Sequence, residues 1–161
     1  IPFNAIDLPA FYPQNERDIS LLWVGAPHFG RVPWIEAARS IQGAHVQTDP
    51  ISHADYLALM VRSRMCLVLP GAGAQTYRAV EAAAFGCATV VPAFIGTGNS
   101  HSDVLNILVA EPDDLSRAVM SMPVDDCAYF GQVNRTRLLT DLTHTAVAAR
   151  FLSEAELCVS Q

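Results

Sequence analysis

Met65–Phe94, MCLVLPGAGAQTYRAVEAAAFGCATVVPAF, reads as one strand, glycine turn, helix and strand unit, and the rest of the chain is organised around it. Met65 to Leu69 is continuously apolar, as a parallel strand covered on both faces must be, and Pro70-Gly71-Ala72-Gly73 ends it abruptly. From Gln75 to Phe85 the apolar residues Tyr77, Val80, Ala83 and Ala84 recur at helical spacing. Gly86 stands where a helix takes a left-handed C-terminal residue. Ala88 to Val91 is apolar again, which predicts a second buried strand, parallel to the first because a helix crosses between them.

Chemistry concentrates where the first strand gives way to the helix. Free backbone N–H groups and the positive end of the helix dipole meet there, and glycines let a ligand approach the backbone. Arg78 and Glu81 are three apart and share a face of the helix. An arginine so placed can neutralise a phosphate, and a carboxylate can accept hydrogen bonds from a pair of ribose hydroxyls. The same spacing also suits a plain surface ion pair, and Gly-Ala-Gly suits a plain turn, so both readings stand at this point.

The 161 residues suit one domain with ample core material, 51% of them being hydrophobic. Sixteen acids against ten basic residues, all arginine and nowhere clustered, give a net charge of −6 and argue against a nucleic-acid partner. No run of eighteen apolar residues predicts a transmembrane helix, and IPFNAIDLPAFYP has neither the charged start nor the apolar core of a signal peptide. Beginning without methionine, the chain reads as a domain of something longer, with residues 1–18 as a linker and residues 19–161 as the domain.

Cys66, Cys87, Cys127 and Cys158 show no paired metal-ligand spacing, so no metal site is expected. Cys66 and Cys87 fall near the starts of two neighbouring strands, either bridged as a disulfide or packed as two small buried hydrophobes. Asn134-Arg135-Thr136 is a sequon that permits N-glycosylation at Asn134.

Strands are predicted near Leu21–Val24, His45–Thr48, Met65–Leu69, Thr89–Val91 and Asn106–Val109. Helices are predicted over Trp34–Ile41, after a cap at Ser52 or Asp55, over Gln75–Phe85, from Asp113-Asp114 to just before Pro123, and over Tyr129–Leu157, which should lie across the domain. This alternation implies an α/β fold, a doubly wound parallel sheet of Rossmann-like type. Ligands bind such sheets at the carboxyl ends of strands, so the loops after Val24, Leu69 and Val91 should surround one crevice with Arg31, Gly71, Gly73, Thr76, Arg78 and Glu81.

The series Ser63-Arg64-Met65-Cys66-Leu67, Arg78, Glu81-Ala82, Gly86-Cys87 and Val90-Val91 resembles the exostosin-like glycosyltransferases. Leu22-Trp23-Val24-Gly25 is similar to that family's first donor-domain strand, and Tyr56 stands in its usual place before the Ser-x-x-Cys run. The likeness spans roughly Ile19 to Leu157, with the specific part between Ser63 and Val91. It implies the C-terminal, donor-binding half of a two-domain GT-B transferase, whose missing N-terminal Rossmann-like domain supplies most of the acceptor pocket and the general base. It further implies a nucleotide-diphosphate sugar as donor and a glycan or glycoprotein as acceptor. Arg78, with Arg31, would stabilise the leaving diphosphate, Glu81 would hold the ribose, and no metal or other cofactor is called for. Family precedent places such enzymes in the Golgi lumen in eukaryotes and in the cytoplasm in bacteria.

Two other classes compete. A scaffold domain that keeps the fold without catalysis would fill the crevice with side chains or a partner, whereas a donor site needs Arg78 and Glu81 facing open space. A dehydrogenase is disfavoured because no full Gly-x-Gly-x-x-Gly follows the first strand.

Overall fold

The computed structural model describes residues 16–70, 77–96 and 106–141. Five strands form one parallel sheet: β1 (Ile19–Val24), β2 (His45–Gln47), β3 (Ser63–Leu67), β4 (Ala88–Pro92) and β5 (Asn106–Val109), in the order β2-β1-β3-β4-β5. Every neighbouring pair is parallel, including β3 with β4, so the fold is the expected Rossmann-like α/β type. The helices are α1 (Val32–Arg39), α2 (His53–Val61), α3 (Tyr77–Ala84), the single turn α4 (Ala93–Gly96), α5 (Leu115–Met120) and α6 (Val124–Asp141).

Side-chain alternation along the strands builds a core on each face. Leu21, Trp23, Met65, Leu67, Ala88, Val90, Ile107 and Val109 pack against α1 through Trp34, Ile35 and Ala38, and against α5 through Leu115 and Val119. Leu22, Cys66 and Cys87 pack on the opposite face against Tyr56 and Met60 of α2 and Ala82 to Ala84 of α3. Cys127 of α6 belongs to the first core and Leu138 to the second, so this helix passes from one layer to the other, touching α3, β3 and β4.

Local sequence explains most of the boundaries. Ser52 is the N-cap of α2, its hydroxyl accepting from the Asp55 amide, which resolves the choice between those two residues. Gly86 has φ +68°, the Cys87 amide donates to the Ala82 carbonyl and the Gly86 amide to that of Ala83, a Schellman end to α3. β3 starts two residues before the apolar run, at Ser63 and Arg64. Their polar groups are satisfied inside: Ser63 Oγ donates to the Leu59 carbonyl and Arg64 Nε to that of Arg17. α6 begins at Val124 rather than Tyr129, and the expected continuation past residue 141 lies outside the described residues. Residues 112–114 form a 3-10 turn that leads into α5, so the acidic pair precedes the α-helix proper.

The structure decides between the two readings of the cysteines and buries the sequon asparagine. Cys66 and Cys87 are free, buried thiols on the same face of the sheet. Cys66 is in register with Thr89, two residues beyond Cys87. With about 4.8 Å between strands and 3.3 Å per residue, that offset puts the Cα atoms roughly 8 Å apart, beyond the ~4.4–6.8 Å a disulfide spans. Asn134 faces inward from α6 with no exposed surface, which closes the sequon to a glycan on the folded domain.

Burial pushes the Cys87 thiol up to about 11, although Arg17 pulls the other way, and raises Cys66 and Cys127 as well. The thiolate is the reactive form, so the native chain is expected to leave these three cysteines unmodified by iodoacetamide at pH 8. All three should alkylate in urea without prior reduction. Peptide mapping reads both results, and labelling only after reduction would restore the disulfide.

Candidate functional site

The sheet order reverses direction at β1, with β2 on one side and β3 on the other, so chains leaving these strands diverge and open a crevice at the carboxyl edge. The Gly25 amide donates to the Gln47 carbonyl at 2.9 Å and ties the ends of β1 and β2 together. Beside them lies a cleft of about 430 Å³, lined by Val24, Gly25 and Ala26 after β1, Thr48 to Ile51 after β2, His53 and Tyr56 of α2, and Arg78 and Glu81 of α3.

Arg78 enters this cleft from the start of α3. Its guanidinium carbon lies 4.6 Å from the centre of the Trp23 ring, a cation–π contact that fixes the plane of the group. Its Nε is buried without a hydrogen-bond partner, and among the described residues no carboxylate forms an ion pair with it. Gly25 leaves room for this arrangement: a Cβ there would stand 3.3 Å from Trp23 Cζ2 and 3.4 Å from Arg78 Nη2. Gly25→Ala is therefore expected to move the Arg78 guanidinium off the indole. Near-UV circular dichroism of the tryptophan band should change while the far-UV spectrum keeps its helical shape. An unaltered tryptophan band would show that the close approach does not matter.

Glu81, one turn further along α3, has its own partner. The Tyr56 hydroxyl donates to Glu81 Oε2 at 2.9 Å. Burial, with the Cys66 and Glu81 charges next, pushes the Tyr56 phenol well above its ordinary range, so it keeps its proton and remains a donor. The Arg78–Glu81 ion pair that three-residue spacing allows is absent among the described residues. The cation is held on tryptophan and the carboxylate on tyrosine, and both line the open cleft.

Arg31 stands nearby without lining the cleft. Its Nε donates to the Pro70 carbonyl at 2.7 Å and its Nη1 to that of Ala26 at 3.3 Å, and its guanidinium carbon lies 5.5 Å from the Trp23 ring centre. Burial first, then the Arg78 charge, lowers its pKa. Trp23 thus carries two guanidinium groups, which concentrates positive charge at the carboxyl edge. Gly71, Gly73 and Thr76 lie outside the described residues, as does most of the loop after Val91.

The reading from sequence assigned no site role to Tyr56 or to the loop Thr48–Ile51. Tyr56 fits the apolar stripe of α2 and reads as core, which it also is. Only its hydroxyl distinguishes it from such a residue, since a buried tyrosine needs a polar partner. Among the described residues no group of three or more His, Cys, Asp or Glu converges as metal ligands. No family model and no curated protein matches the chain.

Proposed function

We propose that this chain is the donor-binding half of a glycosyltransferase and takes a nucleotide-diphosphate sugar in the cleft beside α3. The observation that carries the reading is the separation of Arg78 from Glu81: neighbours of opposite charge on one helix, each held by an aromatic residue and turned to open space instead of to the other. A guanidinium without a carboxylate partner suits a diphosphate, and an acceptor-only carboxylate suits hydroxyl donors. The resemblance to exostosin-like glycosyltransferases supports the same assignment of these two residues. As the glycosidic bond breaks, negative charge grows on the departing diphosphate, and Arg78 stabilises that charge with the α3 amides. A second Rossmann-like domain supplies most of the pocket for the acceptor, a glycan or glycoprotein, and the general base.

A thermal-shift panel of nucleoside diphosphates and nucleotide sugars tests this. A ligand that binds only the folded state stabilises it by RT ln(1 + [L]/Kd), about 2.7 kcal/mol at one hundred times Kd. At least one diphosphate should raise Tm, and its nucleoside alone should not. If none does at millimolar concentration, the donor reading fails and a scaffold role takes its place.

A further inference from the structure

We infer that Tyr56 is a positioning residue that fixes Glu81 as a reader of sugar hydroxyls, so that the cleft distinguishes ribonucleotides from deoxyribonucleotides. This rests on the donor-site reading and adds a specificity to it. An unrestrained glutamate on an open helix face samples several rotamers, and each hydroxyl it binds must offset the cost of ordering it. Here that ordering is already done. The Tyr56 ring is buried against Met60, Cys66 and α3, and its hydroxyl reaches Glu81 Oε2 at 2.9 Å. Burial keeps the phenol protonated, so this donor stays in place.

The bond also limits what else the carboxylate can accept. Oε2 has spent one lone pair on Tyr56, which leaves Oε1 and the outer lone pair of Oε2 for the cleft. These are acceptors only, so they attract hydroxyl donors and repel phosphate. Arg78 lies three residues earlier on α3, about 4.5 Å along the axis. A ligand anchored by its phosphate at Arg78 therefore presents its neighbouring sugar to Glu81. Loss of one hydroxyl removes a hydrogen bond to a charged acceptor that is already in place.

The experiment uses calorimetry on the full chain. ADP, CDP, GDP and UDP are titrated first, and the tightest is then compared with its 2′-deoxy and 3′-deoxy forms. Wild type should prefer the ribonucleotide over at least one deoxy form by about tenfold or more, the effect of one hydrogen bond to a charged group. Tyr56→Phe should reduce that preference to about threefold or less by weakening the ribonucleotide, with deoxynucleotide affinity unchanged. A purely structural role would weaken all three nucleotides together, and that result would overturn the inference. So would a wild type without preference, or a Tyr56→Phe variant that keeps the full preference. Should Tyr56→Phe fail to fold by circular dichroism, Glu81→Gln takes its place, since the amide removes the charge and puts a donor where one of the two acceptor oxygens stood. Preference retained in Glu81→Gln overturns the inference equally. If wild type binds none of the four diphosphates, the donor reading itself falls and this inference with it.

Discussion

Arg78→Ala is expected to weaken binding of a nucleoside diphosphate by about 30- to 150-fold, or about 2–3 kcal/mol, while leaving the domain folded. The two halves of this expectation have separate causes. Binding suffers because, among the described residues, the side chain is the one arginine lining the cleft and has no carboxylate partner. Stability is largely spared because the side chain contributes opposing terms. Its contact with Trp23 is worth about 0.5–2 kcal/mol, and its buried, unpaired Nε costs about 1–3 kcal/mol. Arg78→Lys should recover little, since an ammonium neither stacks flat on the indole nor forms two parallel hydrogen bonds to phosphate. On the proposed donor-site reading kcat of the two-domain enzyme should fall as well, because charge on the leaving group grows in the transition state. Glu81→Ala should act mainly on KM, because contacts with the ribose are the same before and during bond breaking. Calorimetry and urea denaturation on the three variants test the binding and stability halves, and wild-type affinity in Arg78→Ala would end the anion assignment.

The sheet was legible in the sequence because parallel strands are buried on both faces and therefore appear as apolar runs. Met65 to Leu69 and Ala88 to Val91 needed only that rule, and Gly86 fixed the end of α3. Strand starts were less legible wherever polar side chains are satisfied internally. Ser63 and Arg64 belong to β3 but bond to backbone carbonyls, a fact that composition does not carry. The site was legible only in part for the same reason. Arg78 and Glu81 declare themselves by charge and spacing. Which partner holds each of them depends on Trp23 and Tyr56, fifty-five and twenty-five residues away in the chain. A tertiary contact of that length leaves no periodic signal. The cysteine pair stayed open in the sequence because register is not legible there: adjacent strands were correctly assigned, but a two-residue offset separates bridged from unbridged thiols.

Arg17→Ala is expected to destabilise the domain by about 3–5 kcal/mol, a large share of the ~5–15 kcal/mol typical of a whole domain. The reading from sequence placed Arg17 in the linker, yet its side chain is only 2% exposed. Nη1 donates to the Ser63 carbonyl at 2.6 Å and to Cys87 Sγ at 3.3 Å, and Nη2 donates to the Phe85 carbonyl at 2.7 Å. These acceptors belong to the start of β3 and to the turn between α3 and β4, so one guanidinium joins three parts of the fold at the sheet's amino edge. Phe85 follows the last turn of α3, where the helix dipole favours a cation. Arg135 Nη1 meets the adjacent Ala84 carbonyl at 2.6 Å, and burial followed by the Arg17 charge lowers the Arg135 pKa. Truncating Arg17 leaves the Ser63 and Phe85 carbonyls buried without this donor, at about 1–3 kcal/mol each. Arg17→Met keeps the apolar stem and should lose nearly as much, because hydrogen bonds rather than packing are at stake. Arg17→Lys should recover about half, since a single ammonium cannot span three acceptors with the geometry of the planar fork. Arg78 lies seven residues before Phe85, about 10 Å along α3, so whatever fraction stays folded should bind nucleotide with wild-type affinity. Urea denaturation of the three variants gives the stabilities. A loss below about 1 kcal/mol in Arg17→Met would mean that water satisfies both carbonyls and that this arginine is not what holds the domain's first residues in place.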